Sequence, residues 1–216
     1  MPQLFPRSAN TFSKFSIVLG FLLVVGSLFL IAFLDRSPYV TQVGLAREQP
    51  IPFSHKHHVG GLGIDCRYCH TSVETSSFAG IPPTETCMNC HSILFSESDM
   101  LEPVRKSFRT GEPLAWNRVN DVPDYVYFDH SIHIAKGIGC ATCHGRVDQM
   151  PLMMKAKTFH MGFCIECHKE PEKFVRPREH VFDPAWEPPE DQVTIGRRLV
   201  KAYGIKRELD CNICHR

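Results

Sequence analysis

From Phe15 to Leu34 the chain reads FSIVLGFLLVVGSLFLIAFL, twenty residues without a charge, and no comparable apolar run follows it. A helix of that length reaches about 30 Å, the thickness of a bilayer's hydrocarbon core, so the pattern predicts one transmembrane helix over 15–34. The run is longer than the apolar region of a secretory signal, and no small-x-small cleavage pattern follows it before Asp35 and Arg36. The helix is therefore expected to be an uncleaved anchor. Arg7 and Lys14 precede it without an acidic residue nearby, which puts residues 1–14 in the cytoplasm and residues 35–216 on the extracytoplasmic side of a bacterial membrane.

Beyond the anchor, apolar positions are scattered. Ser98 to Thr110 reads as a short surface helix interrupted near its start by Pro103 and stopped by Gly111. An aromatic, strand-like stretch follows at Tyr125-Val126-Tyr127-Phe128. The proline- and charge-rich segment from Pro171 to Gln192 predicts an extended strap over the surface or against a partner. Val193 to Ile205 has the period of an amphipathic helix.

All 23 acidic residues and 22 of the 24 basic ones lie from residue 35 onward, so this part is close to neutral and nothing suggests nucleic acid. Arg105, Lys106 and Arg109 read as a solvated helix face more than a docking patch. The cysteines change the picture. All ten fall in pairs two residues apart, each followed at once by histidine: Cys66-Cys69-His70, Cys87-Cys90-His91, Cys140-Cys143-His144, Cys164-Cys167-His168 and Cys211-Cys214-His215. C-x-x-C-H attaches c-type haem, with two thiols bonded to the vinyl groups and the adjacent histidine on the iron. Structural zinc would draw four ligands from two such knuckles and would not need a histidine after every pair. Disulfides or redox dithiols leave the histidines unexplained as well. Five covalently bound haems c are expected, and their attachment outside the cytoplasm agrees with the charge-derived orientation.

With roughly 36 residues per haem, an aliphatic core for each is out of reach, so the porphyrins themselves must form the interior. The expected fold is a small, mainly irregular and α-helical multihaem cytochrome c domain of class III-like type, with a haem-centred core and one N-terminal transmembrane helix.

An internal repeat suggests the second iron ligands. Phe53-Ser54-His55-Lys56-His57-His58 and Phe128-Asp129-His130-Ser131-Ile132-His133 both read F-x-H-x-x-H. In each, a haem motif begins about ten residues after the first histidine and another roughly twenty residues later, giving two-haem modules over about 53–91 and 128–168. The fifth motif closes the chain at about 193–216. Seven histidines are left after the five proximal ones. The repeat selects His55, His58, His130 and His133 as distal ligands, because an i, i+3 pair can serve two neighbouring haems. His57, outside the register, is expected to face solvent. For the fifth distal position Met161 is the candidate, with Met154 and His160 as rivals and His180 more distant. A thioether ligand there would give that haem the highest potential.

FSHKHHVGGLGIDCRYCH at 53–70, PPTETCMNCH at 82–91, LAWNRVNDVPDYVYFDHSIH at 114–133 and MGFCIECH at 161–168, together with the anchor, resemble the pentahaem cytochrome c subunit of bacterial alternative complex III. The F-x-H-x-x-H pairs are shared more widely with class III multihaem cytochromes. The resemblance implies an electron-transfer subunit, not catalytic on its own, within a quinol-oxidising complex. Its implied partners are polytopic quinol-binding membrane subunits, an iron-sulfur subunit related to molybdopterin enzymes and a monohaem cytochrome c subunit. The acceptor would be a soluble cytochrome c, a cupredoxin, a high-potential iron-sulfur protein or a terminal oxidase. A rival is a stand-alone, membrane-anchored multihaem quinol dehydrogenase feeding a periplasmic reductase. That family often carries methionine two residues after the first proximal histidine, where this chain has Ser72. A catalytic multihaem reductase would commonly use C-x-x-C-K, which does not occur here.

Overall fold

The computed structural model describes residues 5–215, which divide after Gln42 into two compact units. The N-terminal unit is α1 (Ser8–Arg36) followed by the single turn α2 (Pro38–Thr41). α1 has 29 residues, none of them buried, and is long and apolar enough to cross a membrane. It extends the expected span by two turns at its N-terminus. The hydroxyls of Ser13, Ser16 and Ser27 donate to carbonyls three or four residues back, so each polar group is satisfied within the helix.

The second unit is mostly helical and irregular. Among the described residues it contains no strand, only three isolated bridges: Val43 with Lys155, Ala46 with Met154 and Ile138 with Val175. Its helices are short: α3 (Cys66–Cys69), α4 (Thr84–His91), α5 (Glu102–Thr110), α6 (His130–Ala135), α7 (Cys140–His144), α8 (Met161–Lys169), α9 (Gln192–Ala202) and α10 (Cys211–Cys214). A π-helical turn covers Lys56–Gly61.

The buried hydrophobic residues of the described chain are Ile51, Val73, Val104, Met150, Val175 and Val181 alone. Helix propensity cannot hold elements this short, and six side chains make a small core for such a unit. Polar contacts do much of the joining. α5 packs on α4 through buried Val104 and Ser107. Ser107 donates its hydroxyl hydrogen to the Glu112 carbonyl at 2.6 Å, so Thr84, 2.8 Å away, must be the donor to Ser107. Pro103 lies in the first turn of α5 and does not interrupt it, because its missing N–H falls where no intrahelical partner exists. Gly111 ends the helix in a left-handed conformation at φ 72°. Arg105 and Arg109 both pair with Glu102, which leaves this face largely self-neutralised.

Two local expectations are corrected. Residues 125–128 are not a strand: no neighbouring strand offers a ladder, and the Tyr127 N–H instead donates to the Cys214 carbonyl at 2.8 Å. From Pro171 to Val181 the segment is not a surface strap but a well-buried stretch of the unit, with Val175 at 0 % and Val181 at 1 % exposure, whereas 187–191 is exposed. Two 3-10 turns satisfy part of its backbone locally, while Pro171, Glu172, Val175, Arg176 and Val181 are buried. α9 clamps this segment. The Gln192 amide donates to the carbonyls of Glu172 and Val175, at 3.1 and 2.8 Å, and Gly196 sits directly against the Glu172 backbone.

That contact leaves no room for a side chain. Gly196→Ala is expected to destabilise the haem-loaded protein by about 1–3 kcal/mol in denaturant unfolding. Gly61→Ala, whose added carbon meets only the Lys56 carbonyl at 3.7 Å, is expected to leave stability within error.

Candidate haem sites

Each C-x-x-C-H motif lies on a helical turn: α3, α4, α7, α8 and α10. Positions i, i+3 and i+4 share one face of a helix, so the turn aims both thiols and the histidine the same way. Asp65 caps α3, accepting the Arg67 backbone N–H at 2.8 Å.

The imidazoles are oriented by backbone carbonyls. Among the expected proximal histidines, Nδ1 of His70 donates to Gly80 O at 2.7 Å and Nδ1 of His91 to Leu94 O at 3.0 Å. His168 donates likewise to Glu208 O at 3.0 Å, and His215 to Tyr125 O at 3.1 Å. A carbonyl only accepts, so Nδ1 carries the hydrogen and Nε2 keeps the lone pair that a metal needs. The expected distal histidines follow the same rule: His58 to Ser54 O (2.9 Å), His130 to Ser77 O (2.7 Å) and His133 to Asp129 O (2.7 Å). His55 and His144 have a buried Nδ1 without a protein partner. Burial, then the neighbouring imidazoles, lowers the pKa of each to about 4, so both are held neutral.

The two F-x-H-x-x-H segments share one geometry. Phe53 lies edge-on to His55 (5.0 Å, 88°) and stacks on His58 (4.5 Å, 22°). Phe128 meets His130 at 4.8 Å and 89° and His133 at 4.4 Å and 28°. The modules also anchor each other. The Lys56 N–H donates to the Met150 carbonyl, while the N–H groups of His130 and Ser131 donate to the carbonyls of Ser77 and Ser76. Each distal segment is thus tied to the stretch just past the first haem motif of the other module.

Pairs of imidazoles face one another across the modules. Ring centroids are 6.2 Å apart for His58 and His91, 6.3 Å for His130 and His144, and 6.1 Å for His133 and His168. Two imidazoles on one metal, with bonds of about 2.0–2.1 Å on each side, place their centroids roughly 6.3 Å apart. His55 has His70 as its leading imidazole neighbour. The fifth expected proximal histidine, His215, has Tyr125 as its ring neighbour at 5.8 Å. Met161 opens α8 and is 66 % exposed, Met154 is half-buried in its bridge to Ala46, and His160 is exposed. None of these three is described in contact with His215. His57 is exposed, and His180 lies beside Trp186 with its Nδ1 3.8 Å from Asp183.

The thiols fall into a continuous series. Burial and then Cys87 raise the Cys69 thiol. Cys66 and Cys140 act on one another, which lowers Cys66 and raises Cys140, while the Cys66 thiol donates to the Phe182 carbonyl at 3.9 Å. Burial and then Cys164 push Cys143 up to about 11, and burial with Cys143 behind it pushes Cys167 up to about 12. Cys164 in turn is raised by burial and by Cys214. Direct contacts give the order of neighbours: Asn89 donates to the Tyr68 hydroxyl at 3.0 Å between the second and first sites, and the His130 N–H donates to the Ser77 carbonyl between the third and first. His130 and His133 share α6 between the third and fourth, and His168 donates to the Glu208 carbonyl just before the fifth. The carbonyl seats at Ser77, Gly80, Glu208 and Tyr125 have no side-chain signature, so sequence reasoning missed them. Buried Arg176, 4.3 Å over the Trp186 ring, was missed as well.

The residues fit haem. Among the described residues no three His, Cys, Asp or Glu side chains converge as a structural zinc cage requires. Facing imidazoles beside paired thiols instead suit a c-type haem, which the thiols would hold covalently and the imidazoles would ligate. The class is accordingly a multihaem c-type cytochrome that transfers electrons and binds its haems covalently. Residues 126–216 match the family model described as cytochrome c7 and related cytochrome c. The chain is also 40 % identical over 99 residues to a protein of Nitratidesulfovibrio vulgaris named menaquinone reductase, multihaem cytochrome c subunit. The match covers 45 % of this chain and 46 % of that relative, so the chain spans less than half the relative's length.

Phe128→Ala removes both ring contacts that steady His130 and His133. The expected cost is about 1–3 kcal/mol for the two aromatic pairs, measured by thermal unfolding of the haem-loaded protein.

Proposed function

We propose that the chain is a five-haem electron wire held at the membrane by α1, serving as the electron-transfer subunit of a quinol:acceptor oxidoreductase of the alternative complex III kind. The observation that carries this reading is the unbroken neighbour order of the five attachment sites, which leaves no site isolated from the next. The ten cysteines would hold the haems, with His70, His91, His144, His168 and His215 proximal. The distal partners would be His55 to His70, His58 to His91, His130 to His144 and His133 to His168. Met161 remains the candidate opposite His215, because Cys164, one helical turn further along α8, neighbours Cys214. Bound haem supplies a reversible one-electron couple. Backbone carbonyls fix seven of these nine imidazoles in rotation, so little rearranges when an electron arrives.

The anchor, the positive-inside pattern of Arg7 and Lys14 and the extracytoplasmic chemistry of haem attachment support a cytoplasmic N-terminus with the haem domain outside. Polytopic quinol-binding subunits, an iron-sulfur subunit and a monohaem cytochrome are the partners this reading requires. A second reading has electrons flowing the other way, into menaquinone, and is favoured by the name of the Nitratidesulfovibrio relative. The wire is the same; only the potentials of its ends and partners differ.

Reduced menaquinol added to the isolated chain in mild detergent is expected to leave the haems oxidised on the timescale at which the native complex reduces them. Fast, saturable reduction of the isolated chain would place a quinol site within it and replace this reading with a stand-alone dehydrogenase. Haems in the complex that fill only from a soluble donor, with menaquinol as product, would establish the second direction.

The ligand assignment has its own test. His58→Ala is expected to turn one haem of the set from low to high spin in electron paramagnetic resonance, whereas His57→Ala, its exposed neighbour, should leave the spectrum unchanged.

A further inference from the structure

Asp65 and Gly139 occupy equivalent places in the duplicated modules, each immediately before the first cysteine of a haem motif. Their surroundings differ in charge. At the first site Asp65 pairs with Arg67 at 2.9 Å, both about half exposed, so the two charges largely cancel in water. At the third site the Arg176 guanidinium lies against Gly139, and a Cβ there would strike its Cζ, Nε and Nη1.

Arg176 is only 5 % exposed. Its partners are neutral: Nη1 donates to the carbonyls of His180 (3.5 Å) and Asp183 (3.3 Å), and Nη2 to the Thr142 hydroxyl (3.2 Å). Its buried Nε has no partner, and among the described residues no carboxylate comes within ion-pair distance of the guanidinium. The Asp183 carboxylate accepts the Ala185 N–H and lies beside His180, acting on Arg176 only at longer range. Among the described side chains no carboxylate neutralises this buried cation, and it acts on Cys140. The charged side chains that act on Cys66 are Asp65 and Arg67.

We propose that Arg176 sets the two central haems apart, raising the reduction potential of the haem at Cys140 and Cys143 above that of its repeat-equivalent at Cys66 and Cys69. The proposal rests on the five-haem reading. Ferric haem carries one positive charge more than ferrous haem, so a fixed cation in a poorly solvated setting favours the ferrous form. The step affected is a one-electron exchange: one iron becomes ferric as its neighbour becomes ferrous, and no proton moves. Two haems that duplication would otherwise make alike acquire a gradient from one side chain outside the repeat. Arg176 is a positioning residue for charge and touches no ligand of the iron.

The test is a potentiometric titration of the haem-loaded protein, with individual haems followed through assigned haem-methyl resonances in nuclear magnetic resonance. In the natural protein the third site is expected to reduce before the first. Arg176→Gln is expected to lower the third site's reduction constant about tenfold, 59 mV for one electron, and to move the first site less. Arg176→Lys should retain most of the original potential. An unchanged third-site potential in Arg176→Gln with every haem attached overturns the proposal and leaves the wire intact, as does an equal shift in Arg176→Lys, which would assign the effect to packing. Should Arg176→Gln not accumulate folded, the order in the natural protein decides: reduction of the first site before the third overturns the proposal. A natural protein carrying fewer than five haems refutes the wire itself.

Discussion

A histidine binds iron only through a nitrogen that carries no hydrogen, so the other ring nitrogen must carry it and be held by an acceptor. In this chain that acceptor is a backbone carbonyl at seven of the nine expected ligand histidines with defined geometry, from His58 on Ser54 to His215 on Tyr125. Regular helices and sheets consume their carbonyls internally. The carbonyls of Ser54 and Ser77 accept a backbone N–H as well, but those of Gly80, Leu94, Tyr125 and Glu208 lie outside the helices, and short helices with long connections suit that demand. Thioether bonds then compensate for the weak cohesion of such a backbone by pinning it at two points per site.

Duplication supplies a second constraint. Because each distal segment is tied to the stretch behind the other module's first haem motif, neither module is complete alone, and the Cys66–Cys140 contact lies where they meet. Reciprocal anchoring therefore brings the first and third sites together and sends the second and fourth outward. A linear series results from an interlocked pair of repeats without any element that runs along it.

The paired cysteines, each with its following histidine, and the F-x-H-x-x-H register were legible because both are spacings of side chains, and the two registers do share one ring geometry. The apolar N-terminal helix and the largely irregular haem domain were legible too, one from length without charge and the other from the ratio of residues to haems. What escaped was whatever depends on backbone groups or on the interior path of the chain. Val175, Val181 and Arg176 sit in a proline-rich, charged segment whose composition resembles a surface strap, and only the packing of α9 on Glu172 through Gly196 turns it inward. That the His58 ring faces His91 and the His133 ring faces His168 was hidden for the same reason: an i, i+3 spacing puts two imidazoles on one side of a turn without saying which rings they meet.

The fifth site lies outside the duplication and obtains its support differently. The Tyr125 carbonyl accepts the His215 Nδ1 hydrogen, the Tyr127 N–H donates to the Cys214 carbonyl, and the Glu208 carbonyl, just before α10, orients His168. The aromatic run at the start of the second module thus serves three sites at once: Phe128 steadies His130 and His133, which face the third and fourth, while its neighbours hold α10 at the fifth. This explains why 125–128 forms no ladder, since a strand partner would occupy the groups that the terminal site needs. It also couples the last site to the fourth through the backbone, so the end of the series is held by the same segment that positions its middle.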